Sequence, residues 1–309
     1  MTAHLIGPLT GSLIGSLIGT GELAVASDLG RTCALAARSQ RDLMRCAETY
    51  GELFPPEPFD AGFFSGLSLV GAFGSPWATA AQLRVVNRAA LWVFAVDWLV
   101  DAVATSAGEV DALVHDCLAV ADGDPPVGEA GITRFLADIR DELAAVPSFP
   151  VLRQIWADQV RRMLLAMARE WRWRSEATTV TFDDYLGNAD SCGSSFVNVS
   201  HWIATGDAWT AGHLGELREI SGEVQRYLRL LNDMATHGRE LEWGDLNVLT
   251  LGVSRTEVTG RMAELVARCR ALIDPVRAGS PRTAAYLERQ IGFNTGFYGL
   301  VDYWGERCT

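Results

Sequence analysis

The chain has 309 residues, of which 49% are hydrophobic and 21% are charged, and its formal net charge is −12. This composition predicts a globular protein, and the acidic balance argues against nucleic acid or an anionic membrane surface as the main partner. All 26 basic residues are arginine. An acidic protein of this kind would need metal ions or local arginines in order to bind a polyanion.

The cysteines and the N-terminal segment give no sign of export. Six cysteines are scattered without a C-x-x-C pair, which predicts reduced thiols in a cytoplasmic protein. Residues 1–22 are apolar, but they lack a basic region and are interrupted by glycine and proline. We therefore expect a flexible N-terminal segment and no stable membrane insertion.

From about Leu23 onward, apolar residues recur every three to four positions, which is the period of an amphipathic helix. Short clusters of Gly, Pro and Asp separate the periodic stretches, and none is long enough to be an interdomain linker. The sequence thus predicts one all-α domain over residues 23–309. Its predicted helices are 24–50, 79–105, 109–121, 130–145, 150–176, 183–204, 209–238, 254–277 and 280–304.

Two carboxylates interrupt the very apolar helix predicted at 79–105. Asp97 and Asp101 are four residues apart, so they lie on one helix face, and Val86, Ala90 and Val93 continue that face toward the N-terminus. Ionised carboxylates in an apolar site are costly unless a cation neutralises them, and Mg²⁺ prefers oxygen ligands. Alone, the pair also fits two aspartates bonded to arginine.

A second stripe of oxygen donors lies about 135 residues later in the helix predicted at 209–238 and just beyond it. Asn232, Thr236 and Glu240 are spaced at i, i+4 and i+8, which places an amide, a hydroxyl and a carboxylate on one face. This set suits a hard cation. Arg239 lies beside Glu240, where its guanidinium could reach a diphosphate oxygen.

Together the two stripes resemble the paired motifs of class I terpene synthases, D-D-x-x-D and (N/D)-D-x-x-(S/T)-x-x-x-E. The second motif is complete from Asn232 to Glu240. The first keeps its outer acids, Asp97 and Asp101, while Trp98 replaces the second aspartate. Residue i+1 on a helix points away from the i, i+4 face, so this loss is geometrically tolerable.

The resemblance implies a single-domain α-helical bundle around an apolar cavity, in which an isoprenoid diphosphate is ionised with the help of three Mg²⁺ ions. It also implies that Arg239 and Arg307 bind the substrate diphosphate. Dimers are frequent in the family, so a homodimer is one expected form. The implied catalytic and metal-ligating residues are Asp97, Asp101, Asn232, Thr236 and Glu240.

The expected substrate follows from one departure. Many bacterial cyclases of acyclic substrates carry a diphosphate-sensing arginine where this chain has Ala189. The stretch 185–194, YLGNADSCGS, instead resembles labdane-related diterpene synthases, which implies copalyl diphosphate as the substrate. An upstream class II cyclase would be the pathway partner, because this chain has no D-x-D-D motif. The expected product is a labdatriene of the biformene type or a further cyclised diterpene.

Three alternatives stay open at this point. A class I cyclase of geranylgeranyl or farnesyl diphosphate would share all the metal chemistry. Head-to-head coupling enzymes would need a second D-x-x-x-D motif in place of the Asn/Thr/Glu stripe. A non-catalytic all-α binding protein is the third.

The resemblance also implies that aromatic faces line the cavity around the allylic cation. The candidates for this lining are Phe63, Phe64, Phe73, Trp77, Trp92, Phe94, Trp98, Phe196, Trp202, Phe297, Tyr298 and Trp304.

Overall fold

The computed structural model describes residues 20–126 and 131–304. Within these ranges the chain forms twelve α-helices and no strand, which confirms the predicted all-α fold. The first six are α1 Glu22–Thr49, α2 Ala61–Gly74, α3 Ala80–Trp98, α4 Ala107–Asp122, α5 Gly131–Ala144 and α6 Phe149–Ser175. The others are α7 Phe182–Gly187, α8 Ser194–Thr205, α9 Ala208–Gly212, α10 Leu214–Trp243, α11 Arg255–Gly279 and α12 Pro281–Tyr298. The first 19 residues of the predicted N-terminal segment lie outside the described residues, and α1 begins at Glu22.

Helix α2 was not predicted from the sequence. Its stretch, AGFFSGLSLVGAFG, has four glycines and no charged face, so it shows no amphipathic period. The signal that starts it is local, since the Asp60 carboxylate accepts a hydrogen bond of 2.8 Å from the Phe63 amide at the N-terminus. The remaining stabilisation of α2 comes from tertiary packing, because the helix contacts α1, α3 and α12.

Helix α3 ends earlier than predicted. The α-helix stops at Trp98, and Leu99–Val103 form a π-helical turn closed by a 2.8 Å hydrogen bond from the Ala104 amide to the Leu99 carbonyl. Asp101 lies in this widened turn and Asp97 just before it. π-Helical turns are rare in proteins overall, but those that occur often lie at functional sites.

The helix predicted at 183–204 is interrupted. Between α7 and α8 lies a 3₁₀ turn, Ala189–Cys192, followed by Gly193 with φ +69°. A Cβ at Gly193 would lie 2.5 Å from Val93 Cγ1, so only glycine permits this close approach to α3. The helix predicted at 209–238 is likewise two helices, because the chain turns at His213 between α9 and α10.

Helix α3 is the central element of the bundle. It packs against α1, α2, α5 and α8, and Leu91, Trp92 and Ala95 have no exposed surface. The Trp92 indole donates a 2.9 Å hydrogen bond to the Ile132 carbonyl, which satisfies its one polar group in the core. This packing fixes α3 as far as Ala95, two residues before Asp97. None of the helices in residues 20–126 and 131–304 combines the length and apolar character that a membrane span requires.

Candidate active site

A cavity of about 550 Å³ lies inside the bundle. Its walls come from α2, α3, α6, α8, α10 and α12, together with the π turn and the 3₁₀ turn after α7. Along α12 the lining residues Tyr286, Gln290, Asn294 and Tyr298 recur every four positions, so the cavity follows this helix for about 18 Å. Asn232 donates a 3.1 Å hydrogen bond to the Tyr298 hydroxyl, which places the second predicted motif at the C-terminal end of α12. We call this end of the cavity the mouth.

The mouth carries the first predicted set of metal ligands, Asp97 and Asp101, and we call the two predicted sets the first and the second metal arm. Both line the cavity, and Arg174 Nη1 lies 3.4 Å from an Asp101 carboxylate oxygen. Desolvation and the nearby charge of Asp245 raise the pKa of Asp97 to about 7. Desolvation in the recess, with repulsion from Asp97, also raises the pKa of Asp101, although that side chain is still 40% exposed. These acids therefore favour a cation beside them.

The second metal arm, Asn232, Thr236 and Glu240, is held by hydrogen bonds. The Thr236 hydroxyl lies 2.7 Å from both Glu240 Oε1 and the Asn232 carbonyl oxygen. The Asn247 side chain donates to Glu240 Oε2 at 2.7 Å and to the Asp233 carbonyl at 2.9 Å. Asn232 and Glu240 line the cavity, whereas Thr236 lies behind them and is 2% exposed.

Asp233, the second residue of the second motif, does not line the cavity. The Tyr185 hydroxyl and the Val248 amide donate to its Oδ2 at 2.7 and 3.1 Å. Arg229 lies 3.4 Å from its other oxygen. Desolvation raises the pKa of Asp233 to about 7, and these contacts with Arg229, Tyr185 and Val248 oppose the rise. Asp233 therefore connects the C-terminal half of α10 to Tyr185 on α7 and to the turn that follows α10.

Of the arginines in the described part of the chain, three line the cavity, and each is paired with a carboxylate. Arg174 forms a 2.5 Å ion pair with Asp245, and Arg239 is bonded to Asp302. The Arg239 Nε has no hydrogen-bond partner among the described residues, so its guanidinium keeps a free donor. Arg307, predicted to bind the diphosphate, lies outside the described residues.

Arg229, the third of these arginines, was not predicted from the sequence. Its Nη1 lies 3.3 Å from Glu170, and its Nε donates to the Tyr185 hydroxyl at 2.6 Å. It also reaches Ser191, on the turn that contains Ala189. Ala189 is 3% exposed and does not line the cavity.

Sequence reasoning also missed Glu170, Arg174, Asp245 and Asn247. Glu170 and Arg174 are spaced at i, i+4 on α6, but such pairs are common on solvated helices and carry little information. Asp245 and Asn247 lie in the turn after α10, where sequence shows no periodicity. The structure brings all four to the mouth or to the residues that hold it.

Fewer of the predicted aromatic side chains line the cavity than the sequence suggested. Of the predicted candidates, four line the cavity, and the others pack elsewhere in the bundle. Tyr286, Tyr303 and Trp243 line it as well and were not among them. The four predicted residues found in the wall are Phe94, Trp98, Tyr298 and Trp304.

The donor chemistry of the mouth fits a hard divalent cation. The two arms offer carboxylate, amide and hydroxyl oxygens, which are the ligands that Mg²⁺ prefers, and no thiolate or imidazole. Among the described residues, no three His, Cys, Asp or Glu side chains converge as one metal-binding group. The predicted ligands instead combine carboxylates with an amide and a hydroxyl, a type of oxygen site at which substrate phosphate oxygens often share the coordination of Mg²⁺.

Comparisons with known proteins identify a family and a fold for this chain. Residues 88–272, more than half of the chain, match the family described as terpene synthase family 2, C-terminal metal binding. No curated protein sequence matches the chain.

Three solved structures show the same fold. The linalool/nerolidol synthase of Streptomyces clavuligerus in complex with 2-fluorogeranyl diphosphate has a TM-score of 0.67 at 16% identity, covering 86% of this chain and 98% of its own. The 2-methylisoborneol synthase of Streptomyces coelicolor A3(2) in complex with Mg²⁺ and 2-fluoroneryl diphosphate has a TM-score of 0.67 at 15% identity, covering 86% of this chain and 90% of its own. Isoprene synthase from grey poplar has a TM-score of 0.64 at 17% identity, covering 90% of this chain and 58% of its own. The match over residues 88–272, together with the shared fold, shows that the chain belongs to the class I terpene synthase family and is a carbon–oxygen lyase that acts on isoprenoid diphosphates.

Proposed function

We propose that this terpene synthase is a diterpene synthase that ionises copalyl diphosphate with three Mg²⁺ ions. Asp97 and Asp101 would hold two of the ions, and Asn232, Thr236 and Glu240 the third. The observation that carries the metal chemistry is the meeting of the two arms at one end of a cavity whose middle is lined mainly by apolar side chains. When bound, Mg²⁺ supplies Lewis-acid stabilisation of the departing diphosphate.

The residues of the mouth have distinct tasks in this proposal. Arg239 and Arg174 line the cavity beside the arms, so their guanidinium groups can bind diphosphate oxygens once Asp302 and Asp245 release them. Arg307 is proposed to join them. Phe94, Trp98 and Trp304 present aromatic rings to the cavity, which suits an allylic cation and excludes water from its neighbourhood.

The choice of a bicyclic substrate rests on the turn between α7 and α8. Ala189 provides only a methyl group where a sensor arginine would stand. Arg229, which lines the cavity and reaches Ser191 on this turn, is committed to Glu170, Asp233 and Tyr185 and is a poor substitute for a movable sensor. After ionisation, the cation would either lose a proton to give a labdatriene of the biformene type or close a further ring.

A substrate panel tests the proposal. Purified protein is incubated with Mg²⁺ and with farnesyl, geranylgeranyl or copalyl diphosphate, and the products are analysed by gas chromatography–mass spectrometry. We expect preferential turnover of copalyl diphosphate. Preference for an acyclic substrate would refute the copalyl assignment and support the cyclase alternative.

The control for the metal chemistry is the same assay in EDTA. Turnover that persists without divalent metal would refute the proposed ionisation mechanism. The non-catalytic alternative predicts no diphosphate release with any of the three substrates.

A further inference from the structure

The end of the cavity opposite the mouth is polar. We call it the floor and define it by Asn87, His201, Tyr286 and Gln290, all of which line the cavity. Asn87 precedes Asp97 by ten residues on α3, which corresponds to about 15 Å along the helix. Tyr286 precedes Tyr298 by twelve residues on α12. The floor therefore lies far from the metal arms.

Two amides of the floor have no hydrogen-bond partner among residues 20–126 and 131–304. Asn87 is 3% exposed, and its Nδ2 is buried and unpartnered. Gln290 is 9% exposed, and no described residue bonds its side-chain amide. Leaving such groups unpaired in an apolar cavity is costly, so a ligand that carries oxygen would be favoured beside them.

The two amides approach the same face of α2. Gly71 and Gly74 are one turn apart, a Cβ at Gly71 would collide with Asn87 Oδ1, and a Cβ at Gly74 would lie 3.4 Å from Gln290 Nε2. Glycine at both positions therefore leaves space for both amides. Because they flank one helical turn, a single small polar group could contact both.

His201 lies at the same place. Its ring stacks on Tyr286 with centroids 3.9 Å apart, and its Nε2 is 2.7 Å from the hydroxyl of Ser75, the residue after Gly74. Desolvation lowers the pKa of His201 to about 3, so its imidazole is neutral at physiological pH. The lowered pKa makes this imidazole a weak base, but an oxonium ion is a far stronger acid than an imidazolium and can still give it a proton.

Asn87 also borders a second, outer pocket. It lines this pocket of about 330 Å³ together with Ser39, Arg41 and Arg84. The pocket lies between the polar surfaces of α1 and α3. Asn87 therefore stands between the floor of the cavity and this outer pocket.

We propose that the floor holds a nucleophilic water between Asn87 and Gln290, and that this water adds to a cyclised cation to give a diterpene alcohol. The inference rests on the proposed ionisation but adds the fate of the cation. A lone pair of the water forms the new C–O bond at the cationic carbon. The resulting oxonium ion gives its extra proton to His201, which returns it to solvent when the product leaves.

The distance from mouth to floor sets the position of the hydroxyl group. The diphosphate and its metals fill the mouth, so only a cation that has moved several bonds from the broken C–O bond reaches the floor. We therefore expect the hydroxyl on a ring carbon. Attack at the carbon that carried the diphosphate, or at its allylic partner, is not expected.

Turnover of copalyl diphosphate in H₂¹⁸O tests the inference. We expect a ring alcohol as the main product, with a mass shift of two units from solvent oxygen. Replacing either amide, in Asn87→Leu or Gln290→Leu, should lower the ratio of alcohol to alkene about tenfold through loss of one hydrogen bond to water. Gln159→Leu is the matched control, because Gln159 is 3% exposed with an unpartnered Nε2 but lies outside the cavity.

The opposing outcomes are distinct. Diphosphate release with hydrocarbon products only, or an alcohol without ¹⁸O, would overturn the water site and leave the proposed function intact. An unchanged ratio of alcohol to alkene in both leucine variants would also overturn it. Absence of diphosphate release with every substrate would refute the proposed function and the water site together.

Discussion

The two metal arms differ in how much of their geometry the protein fixes by itself. On the second arm, Glu240 is held at one carboxylate oxygen by Thr236 and at the other by Asn247, both at 2.7 Å. On the first arm, no hydrogen bond reaches the Asp97 carboxylate from the described residues, and Asp101 has one ion pair with Arg174. One arm is preorganised, and the other is held mainly by its backbone.

This difference indicates which of the two arms is stabilised more when a metal ion binds. Asp97 and Asp101 have raised pKa values because the recess hinders their hydration and like charges surround them. A cation would relieve that repulsion, so the first arm gains most from the metal. The hydrogen bonds on Glu240 lower its pKa and partly offset the rise that desolvation causes, so the second arm is ready to bind before the metal arrives.

Loss of a carboxylate on either arm should have the largest effect. Asp97→Asn and Glu240→Gln keep the shape of each side chain and remove its charge. We expect each to lower kcat by at least roughly 100-fold, as for loss of one preorganised electrostatic group. Diphosphate release measures kcat, and circular dichroism checks that the helices persist. A variant that keeps its helices and full activity would exclude that residue as a metal ligand.

The preorganisation of the second arm depends on Asn247. Asn247→Ala removes both the bond to Glu240 and the bond to the Asp233 carbonyl, which should cost about 10–100-fold in metal affinity, the range for residues that orient metal ligands. The concentration of Mg²⁺ at half-maximal activity should therefore rise. Thr250→Ala is the control, because Thr250 contacts the backbone of Asn247 and not Glu240. Equal shifts in the two variants would assign Asn247 a role in the turn alone.

The sequence and the structure agree best where the determining interactions are local. The second motif lies on one helix, so its i, i+4, i+8 spacing placed Asn232, Thr236 and Glu240 together. The bounds predicted for α4, α5 and α6 differ from the structure by one or two residues. Here helical periodicity and capping decide the outcome.

The rest depends on contacts distant in sequence. Glu170 meets Arg229, 59 residues away, because both α6 and α10 pack against the turn after α7. Asn247 is only seven residues from Glu240, but it reaches that carboxylate through an irregular turn that has no periodic signal. Helix α2 has no period of its own and is stabilised by what covers it. The break at Gly193 follows from the closeness of Val93, which no local pattern reveals.

Metal should order the first arm more than the second. We expect Mg²⁺ with inorganic diphosphate to slow amide hydrogen exchange several-fold in residues 97–104, where the π turn has few side-chain supports. The exchange of residues 233–248 should change less, because Asp233 and Asn247 already fix that segment. Mg²⁺ without diphosphate is the control, because it separates the effect of the metal alone from that of the metal with diphosphate. Equal protection of both segments would contradict the contrast between the arms.

The smallest expected effect concerns the floor, where burial shifts a pKa in the direction opposite to that at the mouth. The unfolded His201 titrates near its usual pKa of 6.5, whereas burial lowers the folded value to about 3. Below pH 6.5 the unfolded chain therefore binds more protons at this site, and stability falls as the pH decreases. Lowering the pH by one unit from 6.5 should reduce the free energy of unfolding by about 1 kcal/mol, or Tm by a few degrees.

Two variants test this effect. In His201→Gln the decrease in Tm between pH 7 and 5.5 should be smaller than in the wild type. His115→Gln, at an exposed position, should leave that decrease unchanged. An equally steep decrease in His201→Gln would show that other groups control acid stability and that His201 is not held neutral by its burial.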